Sequence, residues 1–105
     1  MTTHITHNEA AHRYELSVDG QLVGVANYHR DGNLIDFTHT EIMSSRRDEG
    51  LGAVLVEAAL DDAKRESLSV LPHCSFVRQH IVEHPDQYAA LVPAHRRMQF
   101  GLPAA

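Results

Sequence analysis

The sequence predicts an α/β fold: an antiparallel meander sheet crossed by a buried central helix, then a short strand and two short C-terminal helices. Three observations predict it. Hydrophobicity over residues 13–42 follows strand-like runs between Gly-containing turns. From Leu51 the spacing becomes helical, and the stretch is apolar around most of its circumference. Prolines at positions 72, 85 and 93 then divide the remaining chain into short pieces.

The elements follow in order. Residues 1–12 are polar and are expected to form a frayed N-terminus. Arg13–Val18 alternates, with Tyr14, Leu16 and Val18 on one face. Asp19-Gly20 is a strong hairpin signal. Gln21–Tyr28 carries Leu22, Val23, Val25 and Tyr28, and "HRDGN" is a second turn. Leu34–Ile42 completes the meander, with Ile35, Phe37 and His39 expected on one face. The helix from Leu51 shows only a narrow polar stripe of Glu57, Asp61, Lys64 and Arg65, so it is expected to lie across the sheet as the core helix. Leu68–Leu71 reads as a fourth strand ended by Pro72. "SFVRQHIVEH" and "DQYAALV" read as short helices stopped by Pro85 and Pro93. The expected domain spans residues 13–92, and residues 93–105 read as a weakly patterned tail.

Composition narrows the function. The 105 residues make one domain, too short for two lobes closing over a cleft. A net charge of −5 disfavours nucleic-acid binding and mildly favours a basic acceptor. Cys74 is the single cysteine, which fits a reducing compartment. There is no basic-then-apolar leader and no apolar run near 18 residues, so a cytoplasmic protein without a membrane partner is expected.

"RRDEGLG", residues 46–52, carries the chemistry. Gly50-Leu51-Gly52 opens a helix, where backbone N–H groups point outward and favour an anion. Taken alone, the turn is equally a Gly-rich helix start without a ligand. Leu55 stands where a dinucleotide fingerprint needs a small residue, and no Gly-Lys-Ser/Thr follows. Nine histidines raise a metal reading, and "HIVEH", His80–His84, has the His-x-x-Glu-His spacing. Pro85 pushes His84 out of helical geometry, so no metal is expected there. His4, His7, His12, His29, His73 and His95 read as surface residues.

Order along the chain adds a resemblance. Three strands, then Arg47-x-x-Gly50-x-Gly52, then a buried helix, resemble the GNAT family of N-acetyltransferases. Pro72-His73-Cys74-Ser75-Phe76-Val77 and His84-Pro85-Asp86-Gln87-Tyr88 resemble the small, minimal domains of that superfamily. The resemblance covers roughly residues 13–92 and implies acetyl-CoA as co-substrate, without a metal. It implies pantetheine along Glu41, Ile42 and Met43, and phosphates on Arg46, Arg47, Gly50, Leu51 and Gly52. Asp48-Glu49 departs from the family pattern and offsets the two arginines.

Acetyl transfer requires a base for the amine, stabilisation of the oxyanion and protonation of the CoA thiolate. Glu41 and His39 are candidates for the base. Cys74 is expected to line the acetyl pocket, as wall, proton donor or covalent acceptor. The implied activity is transfer to an amine of a basic protein or small molecule. The alternative is a non-catalytic CoA-binding or structural module of the same fold.

Overall fold

The computed structural model describes residues 2–103. Five strands form one sheet in chain order: β1 (Thr3–Asn8), β2 (Arg13–Val18), β3 (Gln21–Asp31), β4 (Leu34–Ile42) and β5 (Ser69–Pro72). The first four form an antiparallel meander, and β5 joins β4 in parallel. A parallel neighbour needs a crossover, and α1 (Leu51–Arg65) supplies it. Next come α2 (Ser75–Glu83), α3 (Pro85–Tyr88) and three short 3₁₀ turns, Ala89–Leu91, Ala94–Arg96 and Met98–Phe100.

Turn chemistry sets the meander. Asp19 and Gly20 have φ of 50° and 84°, both in the left-handed region that a two-residue type I′ turn demands. Two bulges interrupt the ladders. Leu16 pairs with Gly24 and Ser17 with Leu22, which leaves Val23 extra. Asn27 pairs with His39 and Tyr28 with Phe37, which leaves Thr38 extra. An extra residue shifts the inward–outward alternation by one position. Ile35 and Phe37 are buried while His39 is exposed, so His39 leaves the face on which it was expected.

The core lies between the sheet and α1, which packs on β2, β3 and β4. Leu51, Leu55, Val56, Ala59, Leu60 and Ala63 are buried. Val54 remains 45% exposed, so the helix is buried on one face and not around most of its circumference. At the far end of the sheet Tyr14, Tyr28 and Phe37 pack with centroids 5.8–6.3 Å apart.

Both chain ends differ from expectation. Residues 3–8 form β1, registered along the whole of β2, and Ile5 packs against the core. The strand was hidden because "THITHN" offers one apolar residue, enough for an edge strand but not for a visible pattern. Val92, Phe100 and Leu102 are also buried, so the core continues into the tail. Phe100 is 4% exposed and meets His73 edge-on with centroids 5.1 Å apart. We predict that Phe100→Ala lowers unfolding stability by about 3–5 kcal/mol in urea titration, as for a buried aromatic elsewhere in a core. A change near zero would mark the segment as a dispensable tail.

Candidate active site

The site begins where β5 stops. β4 and β5 pair from Leu34–Ser69 to Phe37–Pro72, and the Cys74 amide then donates to the Phe37 carbonyl at 2.8 Å. Beyond that the chain turns into α2. From Thr38 onward β4 is paired on one side only, with β3. The opening is a cleft of about 420 Å³ lined by β4 from His39 to Ile42, by Arg47, Gly50, Gly52 and Ala53 at the head of α1, and by Phe76 of α2.

The head of α1 is built to present its amides. Gly50, at φ 71°, turns the chain from the preceding 3₁₀ segment, Ser44–Glu49, into the helix. No side chain caps this end, and its first turn carries no acid. The leading N–H groups therefore lack the side-chain acceptor that usually satisfies them. Arg46 Nη1 lies 3.5 Å from Glu49 Oε1, so one of the two unexpected acids is paired away. Arg47 lines the cleft.

Close packing defines the walls. A Cβ on Gly52 would stand 2.6 Å from Phe76 Cζ. A Cβ on Gly24 would meet Ile42 Cδ1 at 2.5 Å, with the Glu41 carbonyl at 3.3 Å. Glycine at each position permits these approaches without a shift of the facing side chain.

Of the residues singled out in the sequence, the cleft brings together His39, Glu41, Ile42, Arg47, Gly50 and Gly52. The Leu51 side chain is in the core, leaving its backbone at the helix head. Met43 lines a second depression of about 430 Å³, which it shares with Leu22, Val25, Glu41 and Arg47. Glu41 and Arg47 thus border both openings. His39 Nε2 lies 3.6 Å from Glu41 Oε1, and their side chains are 59% and 67% exposed. Cys74 is buried at the start of α2, and its thiol donates to Thr40 Oγ1 at 3.4 Å. It meets the cleft wall through Thr40.

Thr40, Ala53 and Phe76 were missed. Thr40 faces the thiol only because the Thr38 bulge shifts the alternation, and no sequence pattern marks that bulge. Ala53 and Phe76 were legible as small and aromatic residues in the first turns of two helices that flank one opening.

The His-x-x-Glu-His segment sits on α2 and beyond it. Pro85 turns His84 out of the helix to φ −130°, and His84 Nδ1 donates to the His80 carbonyl at 3.0 Å. The two rings stack 4.4 Å apart. His80 Nε2 is buried without a hydrogen-bond partner among the described residues, 3.9 Å from Glu57 Oε2.

Comparisons with known proteins bear on the family and the fold. The family model of the GCN5-related N-acetyltransferases matches residues 13–91. The chain belongs to that family. A solution structure of a GCN5-like protein from Staphylococcus aureus superposes with a TM-score of 0.62 at 23% identity, covering 86% of this chain and 87% of that one. The ribosomal-protein-S18-alanine N-acetyltransferase of Escherichia coli gives 0.54 at 15% identity, over 61% of this chain and 42% of that one. The N-acetylglutamate synthase of Neisseria gonorrhoeae, solved with coenzyme A and N-acetyl-glutamate, gives 0.51 at 21% identity, over 63% and 18%. These likenesses show the fold. The chain spans less than half the length of the Escherichia coli enzyme. No described helix is long and apolar enough to cross a membrane.

Two predictions follow from the packing. Gly52→Ala gains up to about 1 kcal/mol of helix propensity but must displace the Phe76 ring. The gain should appear fully only in a Phe76→Ala background, read as a coupling energy in a double-mutant cycle. Additive effects would mean that the ring yields freely. For His80, burial first and His84 second push the imidazole below its ordinary value of 6.5, against opposing pulls from Glu57, Glu83 and Asp61. The unfolded chain then takes up the proton first, so stability present above about pH 6.5 is lost as pH falls towards the depressed folded value. His80→Leu should flatten that part of the stability–pH curve. An unchanged slope would place the loss on other histidines.

Proposed function

We propose that the chain binds acetyl-CoA in the cleft between β4 and the head of α1 and transfers the acetyl group to an amine. The observation that carries this reading is the pairing of an uncapped, acid-free helix N-terminus with a strand edge released by its neighbour. The first suits a diphosphate, since N–H groups and the helix dipole both favour anions. The second suits an extended pantetheine arm, which can hydrogen-bond to a free strand edge. Gly50, Leu51 and Gly52 would hold the phosphates through their amides, and Arg47 would add a charge. Glu41 and Ile42 would run beside the arm.

The amine nitrogen attacks the thioester carbonyl, the C–N bond forms, the C–S bond breaks, and CoA leaves as the thiolate. Strand-edge amides near the Thr38 bulge would steady the oxyanion. Glu41 borders both openings, so an amine entering by the second depression would meet its carboxylate, which takes the proton directly or through water. His39 stands beside it. Cys74, whose thiol donates to Thr40 Oγ1 behind the cleft wall, would act through that hydroxyl as a proton source for the thiolate. An amine on a protein or a small molecule fits an acceptor side lined in part by exposed Leu22 and Met43.

A second reading, a CoA-binding module without turnover, is favoured by the exposure of Glu41, because a solvated carboxylate is a weak base for an amine. One experiment separates them. Acetyl-CoA at about 100 times its dissociation constant should stabilise the fold by about 2.7 kcal/mol in a thermal melt. Thiol release with a panel of amines should then fall about 10²–10⁴-fold in Glu41→Gln with the thermal shift preserved. A shift without turnover from the wild type selects the module. No shift at millimolar acetyl-CoA removes both readings.

A further inference from the structure

The opposite end of α1 carries a second constellation, roughly 15–20 Å from the glycine turn at about 1.5 Å per residue. Asp62 and Glu66 stand one turn apart there, and His7 reaches them from β1. One ligand atom from each lies within 4.8 Å of the others, the single such group of three among the described residues. They line a cleft of about 440 Å³ together with Ile5, Tyr14, Asp61 and Arg65.

The spacing is informative. His7 Nδ1 lies 3.5 Å from Asp62 Oδ2, longer than the usual N–H···O range of about 2.7–3.2 Å. Donors about 2.0–2.2 Å from one tetrahedral ion stand about 3.3–3.6 Å apart. The Asp62 and Glu66 carboxyls also face each other. A cation placed between the two carboxylates would offset their mutual repulsion.

The candidate ligands are held from behind. His7 Nε2 and the Tyr28 hydroxyl are 2.6 Å apart, and the His7 ring stacks on Tyr14 with centroids 4.1 Å apart. When Nε2 donates to Tyr28, the Nδ1 lone pair faces the carboxylates. The Tyr14 hydroxyl donates to Asp62 Oδ2 at 2.5 Å, and Arg65 holds Oδ1. Metal-ligating histidines and carboxylates are typically oriented by outer partners of this kind. A further carboxylate, Glu9 Oε1, is 4.0 Å from His7 Nδ1, so three acids face one arginine.

We propose that His7, Asp62 and Glu66 bind a divalent transition-metal ion of the zinc class, which fastens the edge strand β1 to the C-terminal end of α1. An imidazole nitrogen with carboxylate oxygens suits zinc, cobalt or nickel, whereas magnesium and calcium prefer all-oxygen sets. The site is independent of the acetyl-CoA cleft.

The test uses the full chain, stripped with a chelator and titrated with Zn²⁺ by calorimetry and with Co²⁺ by visible absorption. One equivalent of Zn²⁺ should bind and raise the melting temperature. Co²⁺ should give four-coordinate d–d bands without a thiolate charge-transfer band. His7→Gln and Glu66→Gln should each abolish the bands. Tyr28→Phe should weaken Zn²⁺ by about 10–100-fold, the effect expected of an orienting partner. Mg²⁺ and Ca²⁺ should leave the melting temperature unchanged. Glu66 is exposed, so its variant decides the matter even if His7→Gln folds poorly. Three results would overturn the proposal: no saturable Zn²⁺ binding at micromolar ion, an equivalent that survives in Glu66→Gln, or a thiolate band that places the ion on Cys74.

Discussion

The cleft depends on the point at which β5 releases β4. The two strands share four residue pairs, and the ladder ends at Phe37 and Pro72. Pro72 has no N–H to give, so the next donor is the Cys74 amide, and the chain leaves the sheet there. Thr38 bulges at the same level on β4. One strand therefore loses its neighbour where its own pleat is shifted. The released edge, the Thr40–Cys74 contact and the space occupied by Phe76 all result from that coincidence.

Helix α1 serves two ends of the sheet with different materials. At its head the contacts are made by small groups: Gly24 approaches Ile42 and Leu55, and Gly52 lies under Phe76. Side chains there come down close onto the glycine backbone. At its tail the sheet presents rings. Tyr14 and Tyr28 send hydroxyls towards Asp62 and His7, and Tyr88 donates to Asp61 at 2.8 Å. Burial together with the neighbouring carboxylate raises the phenols of Tyr14 and Tyr88 well above their ordinary value, which keeps them protonated as donors. The half-buried Asp62 carboxylate gains partners in this network that offset its partial loss of water.

Much of the fold was legible in the sequence because its signals are local. Alternation gave β2, β3 and β4, Asp19-Gly20 gave the first hairpin, and proline positions gave the breaks after β5 and α2. β1 was missed because an edge strand needs only one partly buried apolar residue, Ile5, to be held by its neighbour. The tail was missed because Phe100 and Leu102 are anchored by tertiary contact alone. The cleft was partly legible, since Gly50, Gly52 and Arg47 lie in one turn. Its other wall was not, because the Thr38 bulge decides which of His39 and Thr40 faces inward, and such a bulge arises from pairing between strands. The His7 cluster joins His7 to acids at least 55 positions further along the chain, beyond the reach of any spacing rule.

The sheet order repeats the chain order, β1 to β5, and this has a kinetic consequence. Every antiparallel pairing is a hairpin, so each forms by closing a short loop. The β4–β5 pairing alone must wait for α1 to be traversed. Loop-closure entropy makes such a contact late and the hairpins early. On a folding trajectory the meander and α1 would assemble first, and the fork between β4 and β5 would be among the last features to take shape. Local opening should begin at the same place, with amide exchange around Ser69–Cys74 faster than in the β2–β3 hairpin. The fork at the mouth of the cleft is then also the region that an occupant of the cleft would most strengthen.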